Sequence, residues 1–148
     1  GELDVRTQHA LAAATARLTR DILVAGLFNR DHKPSNILVT SCTRTAAELA
    51  LIDCVGVRRD WTQIDVYEEM CSKLLIEPIG CGVPVRRTLL MRAVTELCKG
   101  DSKLDRAKHR EWIRAFWEFV EAIVQSHGDP RPKVNPLAPA ATPVGAQP

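Results

Sequence analysis

An eight-residue polar stretch, Asn29-Arg30-Asp31-His32-Lys33-Pro34-Ser35-Asn36, separates a helical pattern before it from β-rich runs after it. Pro34 has a fixed φ and no amide hydrogen, so a helix cannot continue through it. From about Asp4 to Ala25, Leu11, Ala14, Leu18, Ile22 and Ala25 recur at three- and four-residue steps among many alanines, which predicts a helix. Gly26 suits its end, and Leu27-Phe28 reads as a connection into the polar stretch. Beyond it, Ile37-Leu38-Val39-Thr40 and Leu49-Ala50-Leu51-Ile52 are short β-rich runs. The small polar span from Ser41 to Glu48 reads as their hairpin loop.

The rest of the chain reads as helices and a tail. A helix is expected from near Trp61 to about Leu75, with Thr62 or Asp65 in its first turn. Ile76 to Val85 contains Pro78, Gly80, Gly82 and Pro84 and is expected to be a loop. Arg86 to Cys98 reads as a helix with Leu89, Leu90, Val94 and Leu97 on its apolar side, ended by Lys99-Gly100. Leu104 to His127 reads as the last helix, with Trp112, Phe116, Phe119 and Ile123 as its packing stripe. Six of the nine prolines fall after Gly128, so residues 128–148 are expected to be a disordered Pro/Ala-rich tail. Residues 1–127 then form one domain of the mainly α, α+β class, and 45% hydrophobic residues suffice for its core.

Composition narrows the function classes. Lysine and arginine number 20 against 18 acidic residues, which gives no field demanding nucleic acid, and seven aromatic residues make a poor base-stacking platform. No apolar run approaches the roughly 20 residues needed to span a bilayer. The opening Gly-Glu-Leu-Asp has neither an initiating Met nor a signal-peptide layout, and is expected to be the edge of a piece of a longer chain. Cys42, Cys54, Cys71, Cys81 and Cys98 are odd in number and include no Cys-x-x-Cys pair, so reduced thiols are expected rather than zinc or disulfides.

The chemistry lies in the polar stretch and in Asp53. If the two β-rich runs pair antiparallel, the start of the first meets the end of the second. Asn36 directly precedes the first run and Asp53 directly follows the second, so an amide oxygen and a carboxylate share one end of the hairpin. Such a pair suits Mg²⁺, which takes few protein ligands and completes its shell from phosphate and water. On the entering loop, Asp31 can orient or accept a hydroxyl proton and Lys33 can neutralise developing phosphate charge. Phosphoryl transfer requires this combination.

The segment resembles the catalytic loop of the protein-kinase-like superfamily, His-Arg-Asp-x-Lys-x-x-Asn, followed by the metal-binding Asp of its Asp-Phe-Gly motif. By that resemblance Asp31 is the catalytic Asp, Lys33 the loop lysine that also contacts the nucleotide, and Asn36 and Asp53 the metal ligands. Asn29 stands where the family has a structural His, and Asp53-Cys54-Val55-Gly56 lacks the Phe-Gly pair. Only about a dozen residues separate Asp53 from a helix bearing Asp65, with no Ala-Pro-Glu motif between. Leu51-Ile52-Asp53, Val57-Arg58-Arg59, Ile64-Asp65 and Pro84-Val85-Arg86-Arg87 are similar to the lipopolysaccharide kinase family of Kdo and core heptose kinases. In that fold Asp65 would be the buried helix Asp that braces the catalytic loop.

The resemblance covers roughly Leu11 to Val124 and implies a kinase C-terminal lobe with a short β-hairpin beside the catalytic loop. It implies ATP and Mg²⁺ as cofactors, and a nucleotide plus a hydroxyl-bearing acceptor as partners. The acceptor would be a sugar or lipopolysaccharide-type glycolipid, at a cytoplasmic location or the inner face of the membrane. Two other readings stand beside it: a Ser/Thr or small-molecule kinase, and a non-catalytic pseudokinase-like interaction module that docks through the proline-rich tail. No Gly-rich loop, Val-Ala-Ile-Lys lysine or partner Glu precedes the first helix, so the N-terminal lobe is expected to be absent and the fragment inactive alone. His32 is expected to be a packed loop residue. Arg58, Arg59, Arg86 and Arg87 are expected to be surface charge rather than an anion site.

Overall fold

A computed structural model describes residues 3–59, 65–80, 86–100 and 106–126. Helix α1, Val5–Val24, starts at Asp4, whose carboxylate accepts from the Arg6 and Thr7 amides at 3.0 and 3.2 Å. This supplies two of the partners that the first helical turn lacks. Gly26, at φ 70°, turns the chain after the helix in a conformation that side chains disfavour. Of the predicted periodic positions α1 buries only Ala14. Thr7, Ala10, Ala13, Ala14, Ala16 and Thr19 are buried, whereas Ala25 is exposed and Leu11, Leu18 and Ile22 are half-buried. Small side chains allow α3, Arg87–Leu97, to approach closely on that side.

Two antiparallel pairs follow. Strand β1, Leu27–Asn29, pairs with β4, Val57–Arg59, and β2, Ile37–Cys42, pairs with β3, Ala47–Leu51. The second pair is the expected hairpin, with longer strands and a tighter turn than Ser41 to Glu48 suggests, and Ile52 lies beyond it. Thr43 closes that turn by accepting from the Thr45 and Ala46 amides at 3.3 and 3.0 Å. The first pair corrects the reading of Leu27-Phe28 as a mere connection. Three residues carry too little periodicity to announce a strand, and their partner lies 30 positions away.

Helix α2 spans Asp65–Gly80, with Pro78 inside it, so residues expected to open a loop at Ile76 are helical. Burial of Leu75 and Ile79 across the last turns offsets the hydrogen bond that Pro78 removes. Residues 61–64 and 81–85, which the sequence assigns to a helix start and a loop, lie outside the described residues, as does the tail 127–148. A 3-10 turn, Cys98–Gly100, follows α3, and the last helix is α4, Arg106–Ser126. Leu75, Leu90, Val94, Cys98, Val120 and Ile123 form the main core, with Phe116 and Phe119 packed on it at 5.7 Å between ring centres. The side chain of Trp112 lies outside those described.

Glu96 ties α3 to α1. Its carboxylate is almost fully buried yet meets Lys99 at 2.8 Å, Arg92 at 3.2 Å and Arg17 at 3.9 Å, while Arg20 donates to its carbonyl at 3.2 Å. The Lys99 hydrogen bond and the flanking cations hold this carboxyl below its usual range. The Cys42 and Cys54 thiols are exposed, those of Cys71 and Cys98 are buried, and Cys81 lies outside the described residues. Between α1, the hairpin and α2–α3 an apolar cavity of about 700 Å³ remains. The architecture is α+β, mainly helical, with two small antiparallel sheets.

Candidate active site

The loop between β1 and β2 is fixed at its first end by buried groups. Asn29 is fully buried at the end of β1, and its Oδ1 accepts from the Asp31 amide at 3.1 Å. Asn36 returns from the other end and donates its Nδ2 to the Asp31 carbonyl at 3.0 Å. Both backbone polar groups of Asp31 are thereby held, and its half-exposed carboxylate projects from a fixed point. The Lys33 amide donates to the Asp31 carbonyl at 2.9 Å, and the Asn36 amide to the Lys33 carbonyl at 2.9 Å. Asn29, standing where the resembled family has a His, therefore works as an internal brace.

His32 is fully buried, and its Nε2 lies 2.8 Å from the Thr19 hydroxyl. That hydroxyl also reaches the Thr15 carbonyl at 2.9 Å. With its single proton directed there, Thr19 accepts from His32 Nε2–H, and the bare Nδ1 is buried without a partner. Burial pushes the His32 pKa down to about 4 and keeps the ring neutral. It is a packed residue that anchors the loop to α1.

Asn36 and Asp53 lie at one end of the β2–β3 hairpin. Ile37 opposes Leu51, and the Ile52 amide donates to the Asn36 carbonyl at 2.9 Å, so Asp53 is the next residue after Asn36's cross-strand neighbour. Asp53 has φ 54° and ψ 61°, the one left-handed non-glycine among the described residues. That conformation costs an L-residue roughly 1–2 kcal/mol, and such strain concentrates where a side chain must be aimed. The Asp53 carboxylate is exposed, and neither it nor the Lys33 ammonium has a partner among the described residues.

This donor set fits Mg²⁺ bound with phosphate. Asn36 commits its amide nitrogen to Asp31, which leaves its oxygen as an acceptor at the hairpin end that Asp53 follows. Among the described residues no group of three or more His, Cys, Asp or Glu converges, so an all-protein cage is not present there. One amide and one carboxylate are what a Mg²⁺ ion that retains phosphate and water ligands requires.

Four more residues, Arg30, Gly56, Lys73 and Glu77, make contacts around the loop. The Arg30 guanidinium forks onto Asp31 Oδ2 at 3.1 and 3.3 Å. Gly56, on the segment after Asp53, presses against the loop: a Cβ there would lie 2.8 Å from Asp31 Oδ2, and its carbonyl accepts from the Arg30 amide at 3.2 Å. From α2, Lys73 donates to the Arg30 carbonyl, and Glu77 accepts from the Ser35 amide and hydroxyl at 2.8 and 2.7 Å. The brace that the resemblance assigns to Asp65 falls on a side chain outside those described. Of the arginines, Arg58 lies over the Phe28 ring at 4.9 Å, and Arg87 pairs with Glu121 and lies over Trp117 at 5.8 Å. Arg59 and Arg86 are exposed.

Loop, hairpin and supporting helices compose a kinase-like fold. The chain superposes on the solved structure of WaaP, a lipopolysaccharide core heptose kinase, in complex with acyl carrier protein, with a TM-score of 0.68 at 18% identity. The match covers 85% of this chain and 50% of that one, so the chain spans about half the length of the structure it resembles. At this identity the likeness shows the fold. No protein-family model matches the chain, and no curated protein matches its sequence.

Proposed function

We propose that this chain is the C-terminal lobe of an ATP-dependent kinase that phosphorylates a hydroxyl of a sugar or lipopolysaccharide-type glycolipid. The observation that carries the reading is the shared hairpin end of Asn36 and Asp53, with Asp31 held beside them by Asn29 and Asn36. Asp31 orients the acceptor hydroxyl and takes its proton, and Lys33 neutralises charge on the transferred phosphoryl group. Asn36 and Asp53 would hold Mg²⁺, which would supply screening of the phosphate charge. The fold likeness to WaaP, together with the short link from Asp53 to α2, supports the glycolipid branch over a Ser/Thr kinase.

A second lobe completing the nucleotide cradle belongs to this proposal. Leu38 and Ile52, on and beside the hairpin, are 52% and 45% exposed, apolar side chains suited to being covered. The proposed location is the cytoplasm, at the inner membrane face where such acceptors are met. No helix among the described residues is long and apolar enough to cross a membrane.

The test is nucleotide binding with and without Mg²⁺, by calorimetry on the full-length protein and its Asp53→Asn variant. Asp53 is exposed and without a partner among the described residues, and Asn tolerates the left-handed conformation, so the melting temperature should stay unchanged. Metal-dependent affinity should fall about tenfold or more. Binding indifferent to both metal and substitution would sink the proposal in favour of a non-catalytic interaction module.

A further inference from the structure

Helix α2 presents Glu69, Lys73 and Glu77 at four-residue steps, which places them on one face. Glu69 steers Lys73 through a 2.8 Å ion pair, and Lys73 reaches the Arg30 carbonyl at the first end of the loop. Two turns along that stripe from Glu69, Glu77 reaches the second end. Its two carboxylate oxygens take separate donors from one residue, the Ser35 amide at 2.8 Å and the Ser35 hydroxyl at 2.7 Å. The partners are 42 residues apart.

The two ends of the loop are not equally secured without this stripe. Asn29 and His32 are fully buried at the first end. The second end is a single 3-10 turn, Pro34–Asn36, in which only Asn36 is buried; the Asn36 amide donates to the Lys33 carbonyl, the Ile37 amide to the Pro34 carbonyl and the Ile52 amide to the Asn36 carbonyl. So short a turn is marginal alone. It also carries Asn36, whose side chain must hold the Asp31 carbonyl with its nitrogen while offering its oxygen. Glu77 directly precedes Pro78, which removes one backbone hydrogen bond from α2.

We infer that Glu77 is a positioning residue: by gripping Ser35 it fixes the turn and so aims the Asn36 amide oxygen at the metal position. This rests on the proposed kinase site, and the closing experiment separates the two. The isotope-labelled 148-residue chain is compared with Glu77→Ala, Glu77→Gln and Asp53→Asn by amide hydrogen exchange and by paramagnetic broadening with Mn²⁺ alone as the metal probe.

In Glu77→Ala, exchange at Ser35, Asn36 and Ile37 should rise about tenfold, with amides of residues 10–16 in α1 unchanged. Glu77→Gln should restore most of the protection, because its carbonyl accepts from the Ser35 amide and its NH₂ donates to the hydroxyl. Mn²⁺ should broaden Asn36 and Asp53 in the unsubstituted chain, at several-fold higher concentration in Glu77→Ala, and not at all in Asp53→Asn. Unchanged exchange in Glu77→Ala, or no rescue by Gln, overturns the grip on Ser35. Raised exchange with an unchanged Mn²⁺ midpoint overturns the positioning role and leaves a structural contact. Absence of broadening in the unsubstituted chain overturns the metal-site reading itself, while the exchange results still decide the grip.

Discussion

The two strand pairs lie on either side of the same loop and are built in opposite ways. β1 and β4 are short, join positions far apart in sequence, and bury Phe28 and Asn29 almost completely against α1 and α2. β2 and β3 are longer and joined by a local turn, and most residues of β2 are exposed. Tertiary packing holds the first pair, whereas the second adds local hydrogen bonding and a turn to the packing of β3 on α1. The loop thus runs from a rigid floor to an open platform: Asn29, Asp31 and His32 belong to the floor, Asp53 to the platform, and the buried Asn36 joins the two. A site meant to receive a nucleotide and a second lobe needs both, a fixed base and an uncovered rim.

Substitution in each pair tests the contrast most sharply. Phe28→Ala removes a ring packed on Met70, Ile22 and Leu23, and should cost about 3–5 kcal/mol in urea denaturation. Leu38→Ala, on the exposed hairpin, should change stability by less than about 0.5 kcal/mol. Similar losses at both positions would show that the hairpin is covered in solution.

Acid should attack the floor first. His32 titrates near 4 when folded, against an ordinary value of 6.5, because burial opposes its charge. A depressed histidine stabilises the fold fully above its unfolded value, and that contribution is lost as pH falls from about 6.5 toward about 4. The loss is on the order of 3 kcal/mol, measurable by denaturant titration across that range. His32→Leu should flatten this limb, and a curve unaltered by it would place the acid sensitivity elsewhere.

A smaller effect is expected where the segment after Asp53 meets the loop. Gly56→Ala sets a methyl group against Asp31 Oδ2 and close to Arg30 Cβ. Because the nearest atom ends a movable side chain, the cost should be near about 1 kcal/mol, at the low end for overpacking. Resonances of Asp31 and Arg30 should shift while those of the β2–β3 turn stay in place. Movement of the turn instead would mean that floor and platform are mechanically joined.

Much of the site was legible because its chemistry is contiguous. Asn29 to Asn36 is one unbroken segment, and the two β-rich runs bring Asp53 to it by simple antiparallel pairing. The apolar stripe of α4 was legible for the same reason, its period being local, and Phe116, Phe119 and Ile123 pack as that period requires. The β1–β4 pair was not, since its three-residue strands gain stability only from a remote partner. Pro78 concealed Glu77: a proline among glycines reads as a loop, and only the burial of Leu75 and Ile79 keeps that stretch helical. Gly56 left a faint signal, a glycine three residues after Asp53, but its closeness to Asp31 depends on β4 being paired.

By itself the sequence determined which groups are present and in what order: an Asp and a Lys on a proline-bearing loop, and an amide and a carboxylate bracketing a hairpin. Residue type, local period and turn chemistry are short-range properties, and they suffice for that. Only the tertiary structure decided that His32 is neutral, that Asp53 is left-handed, and that α2 grips both ends of the loop through Lys73 and Glu77. The state of His32 follows from burial, and the grip of α2 from contacts between residues some 40 positions apart, which exist only once the helices have packed.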